Sequence, residues 1–240
     1  GASRQIDGYT LSVFAKGAGM IAPNMATMLA YALTDAPIDS GDLDRLWRQC
    51  MSQSFNAVMV DGDTSTNDTA VILAGGRGAP LKGEALNRFG LALAQACQEA
   101  AVQLVEDGEG ARCVVELNVA GAPDDQQARH VAKTIALSPL CKTAFFGADP
   151  NWGRIIAAAG RSGVDFDPDQ LTLTLDDDDH SIALFAQGMP LTFDKAHAEV
   201  MMRGKRFRFD LDLKSGTGQS RVWTCDLGHN YVTLNAEYTT

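Results

Sequence analysis

The sequence predicts an α/β protein of two units, on three observations. Helical and strand patterns alternate over roughly the first half of the chain, and a mixed, strand-rich stretch follows. At 240 residues the chain is long enough for two modest domains with cores of their own. The boundary is expected in the turn-rich GAPDDQ at 121–126, dividing the chain into units of residues 1–122 and 123–240.

Residues 7–15, DGYTLSVFA, alternate loosely and read as a strand running into Lys16 and Gly17. Ahead of them Gly1-Ala2-Ser3-Arg4 offers no obvious cap or hydrophobic anchor, so the chain is expected to be cut from something longer or to have its real beginning in a separate polypeptide. In KGAGMIAPNMATMLAYALTD (16–35), a glycine turn passes Pro23 and Asn24 into an apolar run, read as a helix over Met25–Leu33. Pro37 ends that element, and Asp39 or Ser40 caps an amphipathic helix over about 41–54 carrying Leu43, Leu46, Trp47 and Cys50. Two short apolar runs, 57–60 and 70–74, flank the polar loop Asp61–Thr69. The strongest helical pattern covers Gly83–Asp107 and stops where glycine can take the left-handed cap conformation. A strand at 112–119, a helix at 126–137, a short strand at 143–146 and a helix from Arg154 to Ala159 come next. Beyond them lie strands at 170–175 and 181–187 around an acidic hairpin tip, Asp176–Asp179, then a helix at 194–202. Strands at 206–213 and 220–226 and a final strand over 231–240 complete the chain.

Thirty acidic against twenty basic residues give a formal charge of −10, which opposes binding to a phosphate backbone and excludes nucleic acid as the natural partner. The one basic run, Arg203–Arg208, alternates with aspartates and reads as the solvated face of a strand. Five widely spaced cysteines without a CxxC pair suit buried thiols in a reducing compartment, so a cytoplasmic protein is expected. No run reaches 18 apolar residues and no signal-peptide pattern opens the chain, so no membrane association is expected.

Several residues invite a chemical reading. Thr27 stands where a turn enters a regular element, a place for a nucleophilic hydroxyl; equally, Asn24 caps a helix and the Thr27 hydroxyl bonds its own backbone. In the loop, Asp61, Asp63, Ser65 and Asn67 alternate as calcium ligands do, but Thr66 and Ile72 occupy the positions where an EF-hand needs glycine and glutamate. No metal is therefore expected. The loop reads either as a solvated turn or as a brace in which hydroxyls and carboxylates bond neighbouring backbone. Glu109, between two glycines after the long helix, is either a ligand contact or an exposed acidic turn. Trp152, inside GADPNWGR, reads as a structural lock on that turn.

Taken together, KGAGMIAPNMATML, SFNAVMVDGDTSTNDT, DGEG after a long helix, a VKT-type sequence ahead of FFGADPNWGRI, and CDL…YVTLNAEYTT resemble the ArgJ family of ornithine acetyltransferases (glutamate N-acetyltransferases). The likeness runs from about Lys16 to Thr240, in family order. It implies a layered αββα fold, distinct from the doubly wound nucleotide-binding fold, with a smaller mixed α/β C-terminal domain whose last residues, 231–240, return to the active site.

The resemblance further implies a precursor that cleaves itself between Ala26 and Thr27. The freed threonine then moves an acetyl group from N2-acetylornithine to glutamate in arginine biosynthesis. Its new α-amine, of ordinary pKa about 7.7 to 8, supplies the base that a threonine hydroxyl needs. Carried over residue by residue, Lys16 holds a substrate carboxylate, Glu109 the side-chain ammonium, and Asn235 and Thr240 line the pocket. Asp61, Asp63, Thr64, Ser65, Thr66, Asn67 and Asp68 stand behind them as supporting residues. No cofactor is implied, although some family members accept acetyl-CoA as donor.

The sequence departs from the family at Ala18, where serine is usual, at Cys113, where a basic residue is usual, and at Gly228-His229-Asn230 in the tail. Residues 1–15 also lack the threonine–glycine pair of the family's oxyanion hole, carried by an alpha chain ahead of the KGxGMI turn. These 240 residues are accordingly expected to be inactive alone and to work in a heterotetramer of two alpha and two beta chains. An N-terminal-nucleophile amidase or aminopeptidase, and a non-catalytic fragment that complements the alpha chain, are the competing expectations.

Overall fold

A computed structural model of the chain describes residues 1–21, 28–63 and 67–237. The described residues fall into two compact units, 1–108 and 109–240. The division thus lies at Gly108/Glu109 and not at 122/123. The GAPDDQ turn that suggested a linker joins two elements of the second unit, because the strand before it is central to that unit's sheet.

In the first unit, β1 (Ala2–Ile6), β2 (Tyr9–Lys16), β3 (Leu29–Thr34) and β5 (Thr69–Ala74) form one sheet in the order β1-β2-β3-β5. The opening residues, expected to lack an anchor, are therefore an edge strand paired antiparallel with β2. β3 and β5 run parallel and are joined through α1 (Ser40–Gln53), a 3-10 turn at Phe55–Ala57 and β4 (Val58–Met59). The apolar run after Ala26, expected to continue a helix to Leu33, is a strand from Leu29 onward. Its alternation places Ala30 and Ala32 on the buried face and Tyr31 and Leu33 on the other.

Leu11, Val13, Ala30 and Ala32 pack inward beneath α2 (Gly83–Glu106), whose stripe Leu86, Phe89, Leu93, Cys97, Ala100 and Leu104 is buried. The opposite face carries Phe14 stacked on Tyr31, with Leu33 and Leu73 still 41% and 57% exposed. After α2, the left-handed glycine is Gly110, two residues past Gly108, at φ +72°.

The second unit's strands, β6 (Val114–Ala122), β7 (Thr172–Asp176), β8 (Ser181–Ala186), β9 (Met189–Pro190), β10 (Arg206–Asp212) and β11 (Gly218–Cys225), are ordered β11-β6-β10-β7-β8-β9. Only β6 and β10 pair in parallel among them, so the sheet is mixed rather than doubly wound. Val115, Leu117, Val119, Phe207, Phe209 and Leu211 share its apolar face, covered by α3 (Asp125–Ala136) and by Phe145 of α4 (Pro139–Phe146).

The other face is polar. Arg208 lies among Asp176 and Asp178 of the acidic hairpin and Asp210 of its own strand, at 2.9, 2.7 and 3.1 Å, so this one residue of the basic run pairs with the hairpin. The segment 143–146, expected as a strand, is the end of α4: Ser138 accepts the Cys141 N–H and Pro139 opens the first turn. The remaining helices are α5 (Trp152–Gly160), capped by Asn151, α6 (Lys195–Met202), capped by Asp194, and α7 (His229–Glu237). α7 replaces the final strand expected over 231–240 as far as Glu237, and residues 238–240 lie outside the described residues.

Candidate active site

At one end of the first unit's sheet, residues 20, 21 and 28 are laced to residues 60, 61, 68 and 69. The Asp61 carboxylate accepts the N–H groups of Met20 and Ile21 at 2.7 and 3.0 Å, and that of Asp63 at 3.3 Å. Val60 N–H donates to the Ile21 carbonyl at 2.8 Å. Seven residues later the pattern repeats: Asp68 Oδ1 accepts the Met28 N–H at 2.8 Å, and Thr69 N–H donates to the Met28 carbonyl at 3.1 Å.

A carboxylate therefore holds the described backbone on each side of residues 22–27, Asp61 at Met20 and Ile21 and Asp68 at Met28. Met20, at φ +56°, adopts a backbone that non-glycine residues seldom take, and the Asp61 bond fixes its peptide there. Met28 is buried at the other end, its side chain on an apolar pocket lined by Trp47, Met51, Phe55 and Ala70. Lys16 closes β2 in register with Leu29; it is exposed and makes no ion pair among the described residues.

The second unit holds a separate constellation around Glu109. Asn235, on α7, donates Nδ2–H to Glu109 Oε2 at 2.9 Å and to the Tyr231 carbonyl at 3.0 Å. Gly110 lets the chain pass so close to α7 that a Cβ there would sit 2.4 Å from the Tyr231 nitrogen. Beyond it, the buried Asp226 accepts the N–H groups of Arg112 and Cys113 through Oδ1, at 2.8 and 3.2 Å.

Burial, followed by the Asp226 charge, pushes the Cys113 thiol well up and keeps it protonated. The Arg112 guanidinium lies 4.8 Å over the ring of Phe146, and His229 meets the same ring edge-on. Phe146 belongs to the FFGADPNWGR stretch, so that motif, DGEG and the tail converge on one place. Within the motif, Asn151 accepts the Arg154 N–H, its amide donates to Asp149, and Trp152 packs 5.4 Å from Phe185.

Of the residues singled out from sequence, Glu109 and Asn235 are in contact, and Asp61 and Asp68 brace the segment ahead of β3. Among the described residues, Asp63 contributes its backbone N–H to Asp61. Thr27, Thr64, Ser65, Thr66 and Thr240 lie outside the described residues. Sequence reasoning missed Asp226, whose only signal was the CDL motif to which it belongs. Among the described residues no group of three or more His, Cys, Asp or Glu side chains is disposed to hold a metal ion. No helix among them is long and apolar enough to cross a membrane.

Comparison with known proteins gives this geometry its context. The ArgJ family model matches residues 2–240. The arginine biosynthesis bifunctional protein ArgJ of Synechocystis is 45% identical over 98% of this chain and 60% of its own length. The glutamate N-acetyltransferase of Methanothermobacter thermautotrophicus is 42% identical over 96% of this chain and 57% of its own. This chain thus spans roughly three-fifths of the curated relatives it matches. The crystal structure of the Bacillus halodurans arginine biosynthesis bifunctional protein ArgJ superposes with a TM-score of 0.83 at 38% identity. It covers 88% of this chain and 100% of that one. A mixed α/β fold shared at that level, and a family model matched almost end to end, establish that the chain belongs to the ArgJ family.

Proposed function

We propose that this chain serves in a self-cleaving acetyltransferase that moves an acetyl group from N2-acetylornithine to glutamate, with Thr27 as the acetylated nucleophile. The observation that carries the reading is the hold on both ends of residues 22–27. A bond broken between Ala26 and Thr27 leaves Ile21 anchored by Asp61 and Met28 anchored by Asp68. A new amino terminus at Thr27 would therefore stay one residue from a fixed peptide, as a reacting group must. Its α-amine takes the hydroxyl proton, and acyl transfer is split into acetylation and deacetylation.

In this reading Lys16 holds the substrate's carboxylate and Glu109, oriented by Asn235, its side-chain ammonium. Thr240 completes the pocket. The names of the relatives support arginine biosynthesis and glutamate as acceptor. Acetyl-CoA serves as an alternative acetyl donor, no cofactor is used, and the protein works in the cytoplasm. The exposed apolar face of the first sheet supports a partner. It is assigned to the alpha portion of the protein, which supplies the oxyanion donors and assembles with this chain two by two.

The test uses the full-length protein. Intact-mass measurement shows a chain beginning at Thr27 in the wild type and a single uncleaved species in Thr27→Ala. Ornithine release from N2-acetylornithine is matched by N-acetylglutamate formation when glutamate is supplied. A Thr27→Ala protein that still cleaves at this bond overturns the nucleophile. Ornithine release unaffected by glutamate, with free acetate as product, makes the protein an amidase instead.

A further inference from the structure

Acetyl transfer leaves the lysine of the VKT-type sequence without a task, yet the structure buries it. Lys142 lies on α4 at 4% exposure, and no carboxylate among the described residues pairs with it. A buried ammonium is costly to keep, and a methionine of similar length would fill the space without that cost. The ammonium donates to two consecutive residues of β11: to Thr224 Oγ1 at 3.0 Å, to the Cys225 carbonyl, and to Cys225 Sγ at 3.5 Å. The Lys142 carbonyl in turn accepts the Leu227 N–H at 3.1 Å. One residue of α4 therefore grips the chain on both sides of Asp226.

The place of that grip gives it consequence. The β6–β11 ladder ends at the pair Val114 and Cys225. Beyond that pair Asp226 continues the hold, its buried Oδ1 accepting the N–H groups of Cys113 and Arg112 at 3.2 and 2.8 Å. Arg112 stands three positions after Glu109, and the intervening Gly110 passes against the Tyr231 nitrogen, so the turn has little slack. A shift at the end of β11 is passed through Asp226 to this turn. Misplacing a substrate contact by about 1 Å costs on the order of 100-fold in rate.

Resting on the reading of Glu109 as the ammonium contact, we propose that Lys142 is a positioning residue for N2-acetylornithine. It acts through Asp226 and not on the substrate itself. The ammonium fixes Thr224 and Cys225, the strand end so fixed presents Asp226, and Asp226 sets the backbone that leads to Glu109. The VKT-type, CDL and DGEG motifs thereby serve one purpose. The charged side chain is retained because a neutral apolar one leaves the buried Cys225 carbonyl without this donor.

The test uses the full-length enzyme. Lys142→Met keeps the reach of the side chain and removes its donors. It should raise the KM for N2-acetylornithine by about 10-fold and leave the KM for glutamate within about twofold. Hydrogen exchange at the Arg112 and Cys113 amides should speed up in the same variant. Should Lys142→Met fail to fold, Thr224→Val removes one acceptor with little change of shape, and should move the same readouts in the same direction, by about threefold in KM. In a Glu109→Gln background, Lys142→Met should add little further to the KM, because both act through one contact. An unchanged KM for N2-acetylornithine, equal effects on the two substrates, or unaltered amide exchange overturns the proposal while leaving Glu109 in place. An unchanged KM in Glu109→Gln alone overturns instead the reading of Glu109 on which the proposal rests.

Discussion

Glu109 illustrates how little of a side chain's job is written in its own position. A lone glutamate between two glycines is compatible with an idle turn; the contact with Asn235, 126 positions away, holds one of its oxygens and points the group. In the proposed role its charge meets a substrate ammonium, an interaction of about 1.5–3 kcal/mol. Glu109→Gln in the full-length enzyme should therefore raise the KM for N2-acetylornithine by about 10- to 100-fold. The KM for glutamate, which has no side-chain ammonium, should change much less. Equal effects on the two substrates in steady-state kinetics would remove Glu109 from the ammonium contact. Asp226, buried beneath the same turn, was invisible because its value lies in two backbone N–H groups more than a hundred residues upstream.

Among the elements, α7 and α4 departed most from expectation, for different reasons. The residues of α4 carried a legible start signal in Ser138-Pro139, but the apolar, aromatic run after it has the look of a strand. In α7, Tyr231, Val232 and Thr233 favour a strand locally, and none of its residues is buried, so no amphipathic stripe marks the helix. The described contacts that fix it are the close approach at Gly110, the packing of His229 on Phe146 and the Asn235 bond. Gly110→Ala sets a Cβ against backbone at a positive φ. It should destabilise by about 1–3 kcal/mol in denaturant unfolding and raise the KM for N2-acetylornithine by displacing Asn235. A variant with wild-type stability and KM would show that the approach is not constraining.

For the molecule as a whole, the outward face of the first sheet is the feature with most consequence. Phe14, Leu33 and Leu73 are 46%, 41% and 57% exposed on one contiguous surface, an arrangement that in soluble proteins marks a binding surface. The proposed occupant is the alpha portion. Leu73→Lys, which puts a charge into that face and leaves the buried face untouched, should weaken the affinity between separately produced alpha and beta portions by about 10-fold or more. Calorimetry of the two portions checks this, and unchanged affinity would assign the face to something else.

The sequence by itself determined the class of fold, the family, the two apolar stripes of α1 and α2, and the identity of the chemical groups. Periodicity, capping signals and motif order act within short windows and survive without any partner. Only the tertiary structure decided where the units divide, that 29–34 is a strand and 229–237 a helix, and which backbone N–H groups Asp61 and Asp68 each hold. Those outcomes depend on pairings between residues forty or more than a hundred positions apart. Asp61 and Asp68 are chemically identical in the sequence; the fold brings three backbone N–H groups to the first and that of Met28 to the second, so the two brace different sides of residues 22–27.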